Sequence, residues 1–540
     1  MRFRLCRGIE FALNSQMHEA HEPDSTGAAS EKWGRSAARR TRTPASHQLC
    51  EQATEYLIYA SVVMGPWLFG TTEPWAVWIL NGVGYLIGLL LAAKCLIRWR
   101  TGYSPPRWES GRDEADSFLA QWRGPHWLTF AMGFLTILIL AFSFISATNA
   151  RATFYADQQR FEYYDYIPWL PFTYDKAKTL FLAWSYLALA CYFWGLRDWL
   201  LGKTSRERHP KTPDSHDEDR SSEPESPRLP GRPRHLLWVI SINGAVLAVE
   251  AILQRLDGTN KLLWMRESYW GNAESMFGPY SYRGNAAELF NLIWPTTLGL
   301  WWNLRQHQRR GKAAARVGGS PHTLLLPCCM VIAAAPIISI SRGGAVVAAG
   351  GMLVCLVAML FSHRKASWLV KSGVILLFAA MAGLGLNLGW DKLEPRLKSI
   401  SMDNWSNRSE IYRNSQQMAK DFPLFGSGPG SFAAIYQLYR EEPNEMWQAH
   451  LHDDWLETRV SFGQFGFTIV VLMMSLVLAR WFVPGGIACS WQFIATLWVG
   501  VGGCLVHAKF DFPLQVYSVL QLFLTLCCIL FCLSRKAWIR

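Results

Sequence analysis

Charged side chains are scarce in this sequence: Asp, Glu, Lys and Arg make up 17% of its 540 residues, where a soluble domain carries about 25%. The glycine-rich stretch "GSGPGS" (426–431) lacks a Gly-Lys-Ser/Thr ending, so it reads as a turn and not as a nucleotide loop. No mononucleotide-binding fold is legible elsewhere, which argues against ATP or a nucleotide sugar as an energised donor. None of the twelve cysteines falls in the long segments 148–177, 256–284 or 390–465. They sit in the N-terminal tail or in apolar runs, without zinc-type spacing, and read as buried structural thiols. The first twenty residues lack the apolar stretch and small-residue cleavage site of a signal peptide. A cytoplasmic, disordered tail over 1–52 is the expectation.

What the chain has instead is apolar: 50% of residues are hydrophobic and 14% aromatic. Runs long enough to cross a bilayer recur at roughly 53–72, 75–96, 126–147, 178–199, 236–255, 285–304, 322–341, 344–361, 372–389, 466–482, 489–507 and 514–533. The fold class expected is an all-α polytopic membrane protein with about 12 transmembrane helices. The runs flanking Ser341 are open to a second reading, as one broken helix. Basic residues collect in the tail, in 98–123, in 305–316 and in the terminal "SRKAWIR" (534–540), a cytoplasmic tail in this reading. Under the positive-inside rule these four segments lie in the cytoplasm. The net charge of +12 is then a topology signal, and nucleic acid is not an expected partner. The stretch 201–235, rich in Pro, Ser and charge, is expected to be a disordered cytoplasmic linker between a four-helix region (53–200) and a larger core (236–533).

The loop 390–465 is expected to face outward and to fold on its own. Asn407 offers an N-cap to a helix whose inner stripe is Ile411, Ser415 and Met418; a second helix is expected over Ser431–Arg440. Asp454 is read as the cap of the tenth span, with Glu457 at its third position.

Chemistry concentrates in "QAHLHDDWLE" (448–457). His450 and His452 face the same way if the segment is extended. Three readings stand: a general base, a His/Asp metal site with Asp453 and Asp454, or a polar turn at the interface. Arg342, in "ISISRGGAVVAAGG" (338–351), either snorkels to the interface or holds a phosphate. Arg408 and Arg413 pose the same question in the loop, with Glu410 a surface partner for Arg413. Glu250 and Glu288, near the ends of their spans, would be ion sites in a transporter.

The order "SRGG", "RSEIYRNSQQMAKDFPLFGSGPGSF", "HLHDDWLETRVSFGQFG" resembles the O-antigen ligase/polymerase superfamily of bacterial membrane glycosyltransferases. Arg408 precedes Pro423 by the family's interval of 15 residues. His452-Asp453-Asp454-Trp455-Leu456 is similar to the family's His-Asn-x-x-Leu element, with Asp453 in place of the amide. "YRGNAAEL" (282–289), with Asn285, and "LVHAKFDFPLQ" (505–515), with Asp511, resemble two further elements. The resemblance spans about 236–530 and implies a GT-C-like fold with one large helical periplasmic loop, in the bacterial inner membrane. It implies a metal-independent transfer without cofactors, from undecaprenyl-pyrophosphate-linked glycan to a glycan, lipid A-core or protein acceptor. On that reading His452 is the base and His450 its understudy. Arg342, Arg408 and Arg413 hold the pyrophosphate; Asn285, Asp453 and Asp511 contact substrate. A small-solute transporter and a structural scaffold are the alternatives.

Overall fold

The computed structural model describes residues 43–108, 126–208, 229–268, 271–308, 321–364, 367–398, 405–441, 449–483 and 487–535. Of the expected 1–52 tail, residues 1–42 lie outside them, as do 209–228 of the 201–235 linker; from Ala45 the tail is helical, not disordered, because it begins the first helix. The fold is an all-α membrane bundle. Its helices are α1 (Ala45–Trp67), α2 (Pro74–Thr101), α3 (His126–Thr148), α4 (Lys176–Leu200), α5 (Gly231–Asp257), α6 (Arg283–Gln308), α7 (Leu325–Ile338), α8 (Arg342–Ser362), α9 (Trp368–Lys398), α10 (Trp405–Asp421), α11 (Asp454–Ala479), α12 (Trp491–His507) and α13 (Tyr517–Cys532). All but α10 coincide with the expected spans.

Among the described residues, eight helices are long and apolar enough to cross a membrane: α2, α3, α4, α5, α7 with its leading turn, α8, α9 and α11. Both α12 and α13 are apolar but shorter, at 17 and 16 residues. The sixth helix, α6, tolerates polarity because neighbours enclose it. Its Asn285, Glu288, Asn291, Thr296, Thr297 and Asn303 are all buried, between α5, α7, α8, α12 and α13. Hydrogen bonds partly satisfy this stripe, from Asn291 Nδ2 to Gly344 O at 3.0 Å and from Thr297 Oγ1 to Ser241 Oγ at 2.9 Å.

The runs flanking Ser341 are two helices. Ile340 takes φ 61° between them, a left-handed conformation costly for a β-branched residue. Ser341 Oγ then caps α8 by accepting from Gly344 N at 3.2 Å.

Extramembrane structure gathers at one end of the bundle. On α10, Ile411, Ser415 and Met418 are buried, as their spacing predicts. The helix begins at Trp405, however, so Asn407 lies inside it and is not its cap. The expected second helix is only a turn, Phe432–Ile435, followed by a 3₁₀ turn to Leu438. Nor does this loop fold alone. The stretch between α3 and α4 forms a hairpin, β1 (Ala152–Tyr155) with β2 (Arg160–Tyr163). Its Ala152 and the nearby Tyr174 share one apolar cluster with Ile411, Met418, Phe432, Tyr436, Leu451 and Val460. Gly428, at φ 104°, is pressed against Thr173, where any Cβ would collide.

Within α11 the path kinks at Gly463 (φ 61°, ψ −170°). The backbone of Leu424 and Gly426 packs directly onto that glycine, and Gln464 N donates to Pro423 O at 2.8 Å. A side chain at 463 would meet both the wrong φ and the neighbouring backbone.

At the opposite end of the bundle, charges replace apolar packing. Asp198 on α4 accepts from both terminal nitrogens of Arg98, Nη1 at 2.8 Å and Nη2 at 3.0 Å. It also pairs with Lys94 at 2.8 Å and with Arg107. Glu51 on α1 pairs with Lys94 at 3.2 Å and with Arg232 of α5 at 2.8 Å. Lys94 is wholly buried. Four helices are thereby tied through two carboxylates.

Candidate active site

A cavity of about 1460 Å³ opens where α8, α10 and α11 meet the connection between α12 and α13. One face of α10 lines it through Arg408, Tyr412, Gln416 and Lys420, spaced one turn apart. The start of α8 contributes Ser341, Arg342 and Gly343; the chain before α11 contributes His450, His452 and Asp453; the 506–512 stretch completes the wall. Its lining includes Arg283, Arg342, Arg396, Arg408, Lys420, Arg459 and Lys509 against two carboxylates, Asp453 and Asp511. The surface suits an anionic ligand.

The acidic run in "HLHDDWLE" is a set of clamps. Asp453, not Asp454, caps α11, accepting from Leu456 N at 3.1 Å, and it pairs with Lys509. Asp454 is the first helical residue. Its buried carboxylate reaches across to Leu514 N and Gln515 Nε2, each at 2.9 Å. Glu457 accepts from Leu451 N at 2.8 Å and lies 3.2 Å from His450 Nδ1. Asp453 and Asp454 thus pin the histidine segment to the α12–α13 connection, and Glu457 ties that segment to α11.

The two histidines are not an extended pair. His452 takes φ 59°, a left-handed conformation at a non-glycine residue, of a kind that concentrates at functional sites. Tyr412 Oη donates to its carbonyl at 3.0 Å. Its Nδ1 lies 3.0 Å from Asp511 Oδ1. With Nδ1–H donated to that carboxylate, Nε2 carries the lone pair, and this nitrogen is placed to accept a proton.

Asp511 is the hub. Its Oδ2 accepts from Tyr282 Oη at 2.9 Å and its Oδ1 from Phe512 N at 3.1 Å. Burial pushes this carboxyl up. The hydrogen bond and charge of His452, with His507 and Arg408 nearby, outweigh burial and hold it below the ordinary carboxylate range. Burial and the Asp511 charge push the Tyr282 phenol well above its usual value, so it remains a donor.

Arg342 makes no hydrogen bond or ion pair with any described residue. It feels the charge of Arg408. Arg408 donates from Nη1 to Phe510 O at 3.1 Å. Burial favours its loss of a proton, but Tyr282, Asp511 and Tyr412 outweigh this and raise its value further. Two guanidiniums in one cavity, neither in a salt bridge with a described carboxylate, suit a ligand's negative charge.

Of the residues singled out by sequence, His450, His452, Arg342, Arg408, Asp453 and Asp511 line this one cavity. Arg413 does not; it is exposed and paired with Glu441, not with Glu410. Asn285 is buried in the first turn of α6, outside the lining residues. For the metal reading, no group of three His, Cys, Asp or Glu among the described residues is arranged to hold an ion. Sequence reasoning missed Tyr282, Lys509 and Phe512. Tyr282 stands in the quoted "YRGNAAEL", and the other two in "LVHAKFDFPLQ", where only the histidine and aspartate drew notice.

No curated protein matches the chain. A family model does: residues 327–471 match the family described as O-antigen ligase, a segment that includes Arg342, Arg408, His450 and His452. The match supports membership of that family for the segment it covers.

Proposed function

We propose that the protein is an integral membrane glycosyltransferase. It moves a glycan from an undecaprenyl-pyrophosphate donor to an acceptor hydroxyl at the periplasmic face of a bacterial inner membrane. One observation carries this reading: an imidazole oriented by a carboxylate, His452 on Asp511, shares a cavity with Arg342 and Arg408. In the reaction the acceptor oxygen forms a bond to the anomeric carbon, and its proton passes to His452 Nε2. The anomeric carbon–phosphate oxygen bond breaks, and the pyrophosphate leaves with the electron pair. The charge growing on that leaving group is what Arg342 and Arg408 stabilise. Arg98 and Arg100 near the end of α2, and Arg305 near the end of α6, lie at the helix ends remote from the cavity and support a cytoplasmic placement for that end.

The test is transfer by purified wild type and His452→Ala, with a lipid-pyrophosphate glycan, a panel of acceptors, and EDTA. The expected result is transfer that survives EDTA and is lost in the variant. Loss of activity with EDTA would favour a metal site. Full activity in the variant would move the base to His450. A solute-transporter reading draws on the buried polar stripe of α6; flux in proteoliposomes lacking any lipid donor would favour it.

A further inference from the structure

Beside Asp511 on the cavity wall lies a third imidazole, His507, that the proposed reaction does not use. His507 ends α12 and is buried, as is Glu288 of α6. Its Nδ1 is 2.7 Å from Glu288 Oε2, and its Nε2 is 3.9 Å from Asp511 Oδ2. Both ring nitrogens therefore face carboxylates. Glu288 Oε1 and His507 Nε2 have no hydrogen-bond partner among the described residues, so the attraction between these buried groups compensates for their burial. The ring also lies against Gly343, at the position a Cβ would occupy. No larger residue beside Arg342 leaves room for it.

We infer that His507 is a positioning residue for the base. It is an imidazolium fixed between Glu288 and Asp511, which keeps the Asp511 carboxylate ionised and turned toward His452. The four groups form a line, Glu288–His507–Asp511–His452, running from inside the bundle to the cavity. Arg408 from α10 also bears on His507; Cys504, one turn earlier on its own helix, bears on Glu288, and Asp454 of α11 on Asp511 and Cys504. The packed helix α13 carries no charged side chain.

The sign of the effect follows from charge. A cation behind Asp511 opposes a second cation on His452. It therefore favours the neutral, proton-accepting form of His452 and speeds proton release after each transfer. Removing it allows His452 to hold its proton at higher pH.

This inference rests on the glycosyltransferase reading, and two experiments separate their failures. The first follows kcat and KM against pH for wild type, His507→Gln and the double variant Glu288→Gln/His507→Gln. The double variant leaves no lone buried carboxylate, so it guards against simple misfolding. In both variants kcat is expected to fall by about 10- to 100-fold with KM within about twofold, and the acid limb of kcat to move to higher pH by about one unit. An unmoved limb in both would overturn the inference. The second experiment needs no activity: nitrogen NMR of histidine-labelled full-length protein in nanodiscs, with the His507 signal identified by its loss in His507→Gln. Two protonated ring nitrogens at pH 7 are expected. A single-NH tautomer there would overturn the inference even if transfer is observed. Two protonated nitrogens without transfer to any acceptor would instead sink the functional reading.

Discussion

Phe512 and His450 lie ring on ring, with 4.6 Å between centroids and 21° between planes. The other imidazole, His452, meets the same phenyl edge-on at 4.7 Å and 75°. Tyr282 stacks on it as well, at 5.1 Å and 16°. One aromatic side chain therefore spaces both histidines and the phenol that donates to Asp511.

Phe512→Ala is predicted to lower kcat by about tenfold or more, because the rings lose their common stop. Stability should fall by about 1–3 kcal/mol, from ring contacts of about 0.5–1.5 kcal/mol each. Phe512→Tyr should retain most of both. Thermal unfolding beside initial rates would check this, and equal activity in all three proteins would contradict it.

Asp511→Asn preserves size but removes the charge that orients His452. A fall in kcat of about 10²–10⁴-fold is expected, the range for losing the carboxylate partner of a catalytic histidine. The pH dependence of stability follows the same group. Its folded-state value is depressed below an unfolded value of about 3.9. Its contribution is therefore present above about pH 4 and is lost as pH falls through the folded value. The Tm gap between wild type and Asp511→Asn should be wide at pH 7 and narrow below pH 3. A gap independent of pH would remove the carboxylate from this role.

Arg342→Ala and Arg408→Ala are each predicted to weaken pyrophosphate-lipid binding by about tenfold or more, as loss of charge-assisted bonds of about 1.5–3 kcal/mol implies. Arg342→Lys should recover only part, since an ammonium cannot present a planar fork. Arg413→Ala, which breaks an exposed pair with Glu441, should change binding by less than about twofold. Titration of the lipid in nanodiscs would rank the four; a large effect at Arg413 would redraw the site.

Gly428→Ala is predicted to destabilise the extramembrane unit by about 2–4 kcal/mol, through its φ of 104° and the Thr173 contact. Proteolysis of the loop, followed over time, should quicken in the variant. Unchanged cleavage would mean that Thr173 gives way.

Much of the fold was legible because membrane spans announce themselves as apolar runs, and each of the twelve expected runs coincides with a helix. The inner stripe of α10 was equally plain at helical spacing. Other features depended on partners far away in sequence. His452 and Asp511 are 59 residues apart, and only the fold places their side chains together. Two adjacent aspartates offered two possible caps; Lys509 beside Asp453, and Leu514 with Gln515 beside Asp454, decided between them. The left-handed backbone of His452 has no local signal, since no glycine marks it. Helix α9 outlasts its apolar run, passing through Pro395 to Lys398. Nothing in the 390–465 loop hinted that residues of the β1–β2 region would complete its core.

The charge cluster of Glu51, Lys94, Arg98, Arg107, Asp198 and Arg232 has a consequence for assembly. Four cations share two carboxylates there, so among the described residues the cluster carries surplus positive charge. Drawing it through hydrocarbon would require dehydrating the whole group at once. Once α1, α2, α4 and α5 have closed around it, reversing the direction in which the bundle was threaded would carry that cost. The cluster thereby sets a barrier to inversion, at the end of the bundle opposite His450 and His452.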